Sequence, residues 1–165
     1  MQNQDFQKVL ESNKEKIYRI CRVYAVSPIE PQDLFQEVIF QIWKSFSSFK
    51  GKSNIDTWVY RIAINVCMRS KLKLEKQSNK TLRFESIKFM ISDTPPDESQ
   101  EEKYKLLKAC ILTLNESDTS IIILYLEDLS YKDIAIITGL TENHIAVKMK
   151  RIRKRLFDCI NPKIS

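Results

Sequence analysis

The chain has 165 residues with 27 Lys or Arg and 21 Asp or Glu, which gives a formal net charge of +6 at pH 7. The chain contains only two glycines and its charged fraction is 29%, and both features favour helices. Its length fits an ordinary globular protein with one domain or two small domains. No apolar stretch approaches the roughly 20 residues that cross a bilayer, and the polar amino terminus lacks a signal-peptide core, so we expect no membrane insertion and a cytoplasmic location.

Three helices are predicted in the first part of the chain, over residues 4–26, 31–47 and 55–74. Ser27 and Pro28 end the first helix, and Asn54 or Ser53 caps the third. Together they make a small three-helix bundle.

The second of these helices has one apolar face and one polar face. Its inner face comprises Leu34, Phe35, Val38, Ile39, Ile42 and Phe46. Phe40 projects instead among Asp33, Gln36 and Glu37, with Trp43 at the edge. An aromatic anchor with a polar rim is typical of a protein-binding hot spot, although a tolerated exposed Phe gives the same pattern.

The third helix combines basic, amide and aromatic side chains. Its polar stripe, at a spacing of four, comprises Arg61, Asn65 and Arg69. Trp58 adjoins this stripe, and the preceding loop supplies Phe49 and Lys52. Charge beside flat apolar surface suits single-stranded or flipped-out bases, but Trp58 is equally compatible with a core position.

The helical period is lost between residues 73 and 100, and SDTPPDES at residues 92–99 is typical of a solvated linker. We therefore predict two domains, at residues 1–75 and 99–165, joined by a linker at 76–98. Residues 1–72 carry a net charge of +4 (11 basic, 7 acidic) and residues 101–165 carry +2 (11 basic, 9 acidic), whereas 73–100 is neutral. Two basic blocks indicate two contacts with one nucleic acid.

Four helices are predicted in the second part, over residues 99–113, 116–127, 131–138 and 141–158, with breaks marked by Asn115, Asp118 and Ser130. Ala135, Gly139 and Ile145 have the spacing of a helix-turn-helix: a small residue at the helix crossing, a flexible one in the turn, and an apolar anchor in the second helix. The predicted fold is therefore all-α, with a three-helix amino-terminal bundle and a four-helix carboxy-terminal domain that contains the helix-turn-helix.

The last helix separates into a buried stripe and a DNA-facing arc. The stripe comprises Ile145, Met149, Ile152 and Leu156. The opposite arc comprises Asn143, His144, Val147, Lys148, Lys150, Arg151, Lys154 and Arg155. Thr141 is the expected N-cap, so the amino end of the helix would enter the major groove while the basic run reaches phosphates.

Catalytic and metal sites are not predicted. The chain has one histidine, no Gly-rich phosphate loop and no His/Cys/carboxylate cluster, so we expect neither an enzyme nor a cofactor. The four cysteines lack the spacing of a zinc site and are predicted to be small buried core residues: Cys21, Cys67, Cys110 and Cys159. On these residues alone, an autonomous helix-turn-helix regulator, whose first bundle dimerises or binds an effector, stays open.

Three runs together resemble the extracytoplasmic-function (ECF) group of bacterial sigma factors: D-L-x-Q-E at residues 33–37, T-W-x-Y-R-I-A-x-N at 57–65 and L-S-Y-x-x-I-A at 129–135. The resemblance covers nearly the whole chain and involves the regions that the family calls 2 and 4. It implies a factor that binds core RNA polymerase and directs promoter-specific initiation. Members of the group commonly have an anti-sigma factor, so we expect one as a further partner.

The resemblance also implies roles for single residues. The surface that docks to the clamp helices of polymerase would comprise Asp33, Gln36, Glu37 and Phe40. A pocket for a flipped base of the melted −10 promoter element would be formed by Phe49 and Asn65, with Trp58, Arg61 and Arg69 flanking the melted strand. Lys52, in the same loop as Phe49, is predicted from its charge to complete this DNA-binding surface. The helix at residues 141–155 would read the duplex −35 element, and the linker would thread through the polymerase. The residues predicted to contact the −35 element are taken from the DNA-facing arc of this helix: Asn143, His144, Val147, Lys148, Arg151, Lys154 and Arg155.

The chain departs from the family at Ala146 and Val147, where many members have a basic residue followed by Ser. Base contacts therefore cannot be transferred to these two positions. From its chemistry, Val147 could contact a thymine methyl group, and Asn143 could pair with an adenine edge.

Overall fold

The computed structural model describes residues 2–77 and 99–164, and it is entirely helical in its regular structure over these residues. The seven helices are α1 (Gln2–Tyr24), α2 (Pro31–Phe46), α3 (Ile55–Gln77), α4 (Ser99–Leu112), α5 (Glu116–Leu126), α6 (Tyr131–Thr138) and α7 (Glu142–Ile164). The predicted all-α fold is confirmed. Within the described ranges, no helix is both long enough and apolar enough to cross a membrane.

Helices α1 to α3 pack against one another as the amino-terminal bundle. Ile17 and Ile20 of α1, Val38 of α2 and Ala63 of α3 are inaccessible to solvent in its centre. The predicted cap of α3 is confirmed for Asn54, whose side-chain oxygen accepts a hydrogen bond of 2.9 Å from the backbone N–H of Asp56. This cap fixes the start of the helix that carries the polar stripe.

Helices α4 to α7 form the carboxy-terminal bundle, and side-chain caps set three of its helix starts. Asn115 is the N-cap of α5 and Ser130 is the N-cap of α6. Each side-chain oxygen accepts a hydrogen bond from the backbone N–H three residues later. Thr141 does the same for α7, accepting from the N–H of His144 at 3.1 Å. Gly139 ends α6 with a φ of +77°, a left-handed conformation that glycine adopts without strain. The predicted helix-turn-helix is thus formed by α6 and α7.

The two bundles pack against each other, and their buried apolar residues form one continuous cluster. Polar contacts cross the junction. Arg19 of α1 donates two hydrogen bonds to the carboxylate of Glu127, from Nε to Oε1 at 3.0 Å and from Nη2 to Oε2 at 2.9 Å. Lys108 of α4 donates from Nζ to the carbonyl oxygen of Ala25 at 2.9 Å. Since Glu127 and Lys108 are both buried, these contacts fix the geometry in which the bundles meet.

Helix boundaries agree with the sequence in the middle of the chain and differ at some ends. The first helix stops at Tyr24, two residues early, while α3 continues to Gln77. The last helix runs to Ile164 rather than 158, because Cys159 and Ile160 still pack on the core after the apolar stripe has ended. The predicted linker lies outside the described residues, except for its first two positions, which belong to α3.

The predicted burial of the cysteines is confirmed for Cys21, Cys67 and Cys110, whereas Cys159 is half-buried and a disulfide that the sequence did not predict is present. Cys21 and Cys67 are free and buried, with their sulfurs 3.9 Å apart. Cys110 and Cys159 instead form a disulfide that joins α4 to α7. The two lie 49 residues apart in sequence, so their pairing depends on the packing of two helices and left no spacing signal to detect.

Candidate polymerase and nucleic-acid interface

The buried stripe of α7 lies where the sequence predicted it. Ile145, Met149 and Ile152 are fully buried, and Leu156 is nearly so. Through this buried stripe α7 packs against the rest of the carboxy-terminal bundle, so the opposite side of the helix is exposed to solvent.

The amino end of α7 carries the exposed side chains that could meet bases. Asn143 and His144 are exposed in the first turn, directly after the Thr141 cap. Val147 is an apolar side chain that is 53% exposed on the same side of the helix. An amide, an imidazole and a methyl-bearing side chain at one helix end match the edge chemistry of the major groove.

The basic side chains of α7 divide into a free group and a bound group. Arg151 and Lys154 are exposed, and neither has a hydrogen bond or ion pair within the described parts of the chain. Lys148 lies against α5, with Nζ donating to Asp118 at 3.2 Å, and Arg155 approaches the second oxygen of that carboxylate at 3.7 Å. Two of the predicted −35 residues are therefore tied to a neighbouring helix.

A further cation of α7 is bound on the other flank of the helix. Arg153 donates from Nη2 to the hydroxyl of Tyr125 at 2.7 Å, and its guanidinium lies 5.0 Å from the centre of that ring. The sequence did not indicate this contact, nor the one made by Asp118. The sequence predicted α5 and α7 as helices, but the periodicity of a single helix does not show which of its residues face a neighbouring helix.

The outer face of α2 has the composition expected from the sequence. Asp33, Gln36 and Glu37 are exposed. Phe40 is 54% exposed and Trp43 is 48% exposed, although the Trp43 ring also packs edge-on against Phe6 at 5.0 Å. A shallow apolar groove follows, lined by Phe6, Phe35, Gln36, Ile39, Phe40 and Trp43. Phe40, the predicted anchor, is therefore part of an extended aromatic surface that lies beside the acidic side chains of Asp33 and Glu37.

The loop before α3 places an aromatic pair beside the polar stripe. The rings of Phe49 and Trp58 lie 5.2 Å apart at 50°. Both rings are half-buried, and Trp58 also meets Phe46 edge-on, so it contributes to the core and to the surface at once. Lys52 is exposed in the same loop.

Along α3, the three polar residues of the predicted stripe are exposed on one face: Arg61, Asn65 and Arg69. Arg69 donates from Nε to the backbone oxygen of Asn65 at 3.3 Å, and the side chain of Asn65 is exposed to solvent. Arg61 behaves differently, since its guanidinium donates to the carbonyl oxygen of Ile136 in α6. The stripe thus faces the helix-turn-helix at one end and solvent at the other.

Two family models match the chain in the order of its two bundles. Sigma-70 region 2 matches residues 9–77, and sigma-70 region 4 matches residues 104–156. The chain belongs to the sigma-70 family. The region 2 match includes the whole outer face of α2 and all of α3, and the region 4 match ends just after Arg155, so Cys159 lies beyond it.

Relatives of known function place the chain near the ECF members of the sigma-70 family. It is 29% identical over 150 residues to the ECF RNA polymerase sigma-E factor of Haemophilus influenzae, covering 83% of this chain and 78% of that one. It is 34% identical over 64 residues to the ECF RNA polymerase sigma factor SigG of Mycobacterium tuberculosis, a match of 39% of this chain but only 17% of SigG.

Among solved structures, the sigma factor RpoE of Bartonella quintana, crystallised with the anti-sigma factor NepR, has the same fold. The TM-score is 0.73 at 19% identity, covering 96% of this chain and 98% of that one.

Proposed function

We propose that this protein is a sigma factor of the ECF type: a non-enzymatic subunit that binds core RNA polymerase and directs initiation at specific promoters. One observation carries the proposal. The amino-terminal bundle presents an aromatic and acidic face on α2 and an aromatic and basic face on α3, next to a DNA-facing helix-turn-helix. A regulator that only binds duplex DNA has no use for either of the first two surfaces.

The polymerase-binding surface is the outer face of α2. Phe40 supplies a large apolar area that a partner would desolvate, and the groove beside it offers further apolar contact through Ile39 and Trp43. Asp33, Gln36 and Glu37 form the rim. Their charge disfavours DNA on this face and favours a protein partner with basic residues.

The −10 element is opened and held by α3 and its preceding loop. The Phe49–Trp58 pair offers the flat apolar surface on which an unstacked base can rest. Asn65 lies two turns after Trp58 on the same side of α3 and supplies the amide for the polar edge of that base. Lys52, Arg61 and Arg69 are the cations for the strand's phosphates.

The −35 element is bound by α7. Asn143, His144 and Val147 contact base edges, while Arg151 and Lys154 meet phosphates on either side. Lys148 and Arg155 belong to the same surface, but Lys148 is hydrogen-bonded to Asp118 and Arg155 is paired with the same carboxylate, which reduces the charge that they offer to DNA.

The two bundles separate when the protein acts at a promoter. Arg61 cannot flank a melted strand while its guanidinium is bonded to the Ile136 carbonyl of α6. Opening would break this contact together with the Arg19–Glu127 pair, so polymerase and DNA must supply the free energy of separation.

An anti-sigma factor is the third partner that we propose, after polymerase and promoter DNA. The solved complex of RpoE with NepR, whose sigma subunit has this fold over 98% of its length, supports the assignment. A partner that holds the bundles together would keep Arg61 of α3 from melted DNA, because that side chain stays bonded to α6. The proposed site of action is the cytoplasm, where core polymerase and the chromosome are located.

The function can be tested without knowing the promoter. The purified chain is added to core polymerase from its own host, and transcripts are made from fragmented host DNA and mapped at their 5′ ends. We expect start sites that require both components and that disappear with a Phe40→Ala chain. Binding of this protein to defined duplex sites in the absence of polymerase, with no new start sites in its presence, would favour an autonomous regulator instead.

A further inference from the structure

The carboxylate of Asp118 has an unusual position for an acidic residue near a DNA-binding helix. Asp118 lies in the first turn of α5 and is only 6% exposed. Its two oxygens are directed to two cations of α7, with Oδ1 at 3.2 Å from Lys148 Nζ and Oδ2 at 3.7 Å from Arg155 Nη1. A buried carboxylate requires such partners, because its desolvation would otherwise be uncompensated.

The two cations lie on one flank of α7. They are seven residues apart, so they share a side of the helix, roughly 70° to 90° from the centre of the buried stripe. Arg153 lies on the opposite flank, where it is bonded to Tyr125 near the end of α5. Helix α5 therefore holds α7 from both flanks, and the rotation of α7 about its own axis is fixed by these contacts.

The same contacts change which charges a DNA duplex would meet. Only 15% of the Lys148 side chain is exposed, and its ammonium is directed at Asp118 rather than at solvent. Arg151 and Lys154 lie farther round the helix, outside this network, and are exposed to solvent, where phosphates can reach them. The affinity for DNA of any sequence increases with each Lys or Arg side chain that is free to contact a phosphate of the DNA backbone.

We propose that Asp118 is a positioning residue that sets the specificity of α7. It holds Lys148 away from phosphates and competes with them for Arg155, which limits binding to DNA of any sequence, and it orients Asn143, His144 and Val147 towards base edges. The inference rests on the proposed role of α7 in DNA binding and adds a residue outside α7 that controls it. Specificity is a ratio of affinities, so weakening non-specific binding raises it without any new base contact.

The test uses the full chain and a labelled duplex of arbitrary mixed sequence, with affinity measured by fluorescence anisotropy over a KCl series. Asp118→Asn keeps the shape of the side chain and removes its charge. We expect tighter binding, severalfold at low salt, and a salt dependence that is steeper by about one for each cation released to a phosphate. Asp5→Asn on α1 is the matched control, because it makes the same change in net charge at an exposed position away from α7.

Lys148 provides a second variant, which is informative even if Asp118→Asn is unstable. Lys148→Gln removes the charge and can still donate to Asp118, so we expect no change in the salt slope, whereas Lys154→Ala should lower it by about one. A slope that falls equally in both would show that Lys148 already meets phosphate and would overturn the inference. An unchanged slope in a folded Asp118→Asn chain would overturn it too. Failure of the unmodified chain to bind any duplex, alone or with polymerase, would instead refute the role of α7 itself.

Discussion

Arg61 of α3 donates a hydrogen bond to the backbone carbonyl of Ile136 in α6, so the surface assigned to melted DNA is in contact with the helix-turn-helix. This contact joins the two bundles at one end of their junction, and Arg19 joins them at another through Glu127. The arrangement is a closed one, and its stability sets how readily polymerase and promoter can open it.

The Arg19–Glu127 pair should control this closure. Glu127 is 8% exposed and Arg19 is half-exposed, so Arg19→Glu places two carboxylates together at a partly buried contact, and Glu127→Arg does the same with two cations. We expect either single change to enlarge the radius of gyration measured by small-angle X-ray scattering. The exchange Arg19→Glu with Glu127→Arg should restore it, with a coupling of about 0.5 to 3 kcal/mol. Single variants as compact as the parent would show that this pair does not hold the bundles together.

Lys108 should give the stability of the protein a distinctive pH dependence. Burial, followed by the charge of Arg22, lowers the pKa of Lys108 from its usual 10.5 to about 8. Between about pH 8 and 10.5 the unfolded chain retains a proton that the folded chain has lost, so the free energy of unfolding rises with pH across this window. Below pH 8 both states are charged, and the cost of burying the charge is felt in full.

The measurement compares guanidinium unfolding of the parent with that of Lys108→Met from pH 7.5 to about pH 10.5, a range set by the two pKa values. The stability of the parent relative to this variant should rise by roughly 1 to 3 kcal/mol over the window. Lys103→Met, which changes an exposed lysine of the same helix, is the control and should follow the parent. Parallel curves for parent and Lys108→Met would mean that Lys108 titrates normally.

The sequence contained most of the information about single helices. The seven elements, the caps at Asn54 and Thr141, and the buried stripe of α7 follow from local periodicity and capping chemistry, and the structure confirms them. Family membership followed from three short motifs spread over both bundles, and it is confirmed by matches to regions 2 and 4.

Contacts between helices could not be obtained in this way. The pairing of Cys110 with Cys159 and the bonds from Asp118 to α7 each join residues about 30 to 49 positions apart, and their relative orientation depends on how whole helices pack. Periodicity put Lys148 on the outer arc because it lies off the buried stripe. Periodicity could not show that the carboxylate of Asp118 in α5 lies next to Lys148 on that flank. The roles of the individual site residues stay predictions.

Phe40 and Glu37 should govern binding to core polymerase. Phe40→Ala removes an exposed aromatic anchor, which should cost about 2 kcal/mol or more, roughly thirtyfold in affinity, and Glu37→Lys should weaken binding by reversing a rim charge. Both side chains project from the surface, so the fold should be unaffected. Titration against purified core enzyme gives the affinities, with Phe157→Ala as a control at another exposed phenylalanine, which lies on α7. Unchanged affinity in both α2 variants would refute the docking assignment.

The exposed residues of α7 should divide into two functional classes. Arg151→Ala and Lys154→Ala should weaken promoter binding almost equally for all sequences and lower the salt slope by about one each. Asn143→Ala should instead relax the preference at one or two base positions, at a cost of about 1 to 3 kcal/mol. Binding is measured on a promoter and on its point variants over a salt series. An Arg151→Ala chain with altered sequence preference and an unchanged salt slope would indicate that α7 meets DNA in a different rotation.

Strand opening should depend on Phe49 and Asn65, because a flipped base needs an apolar wall in place of its stacking neighbours and a hydrogen-bonding group at its polar edge. Unstacking costs a few kcal/mol, and the pocket must return a similar amount. Phe49→Ala and Asn65→Ala should therefore bind core polymerase and the upstream duplex almost normally, yet form few open complexes. A template melted in advance should rescue opening but not recognition of the base.

Permanganate reactivity of unpaired thymines, on a promoter mapped with this protein and core polymerase, is the most direct test of the melting role proposed for the amino-terminal bundle. The parent should make thymines of the −10 element reactive only when polymerase is present, and Phe49→Ala and Asn65→Ala should lose most of that reactivity at equal polymerase occupancy. If both variants open the duplex promoter as well as the parent does, the amino-terminal bundle is not the melting module, and the chain acts on DNA through its helix-turn-helix alone.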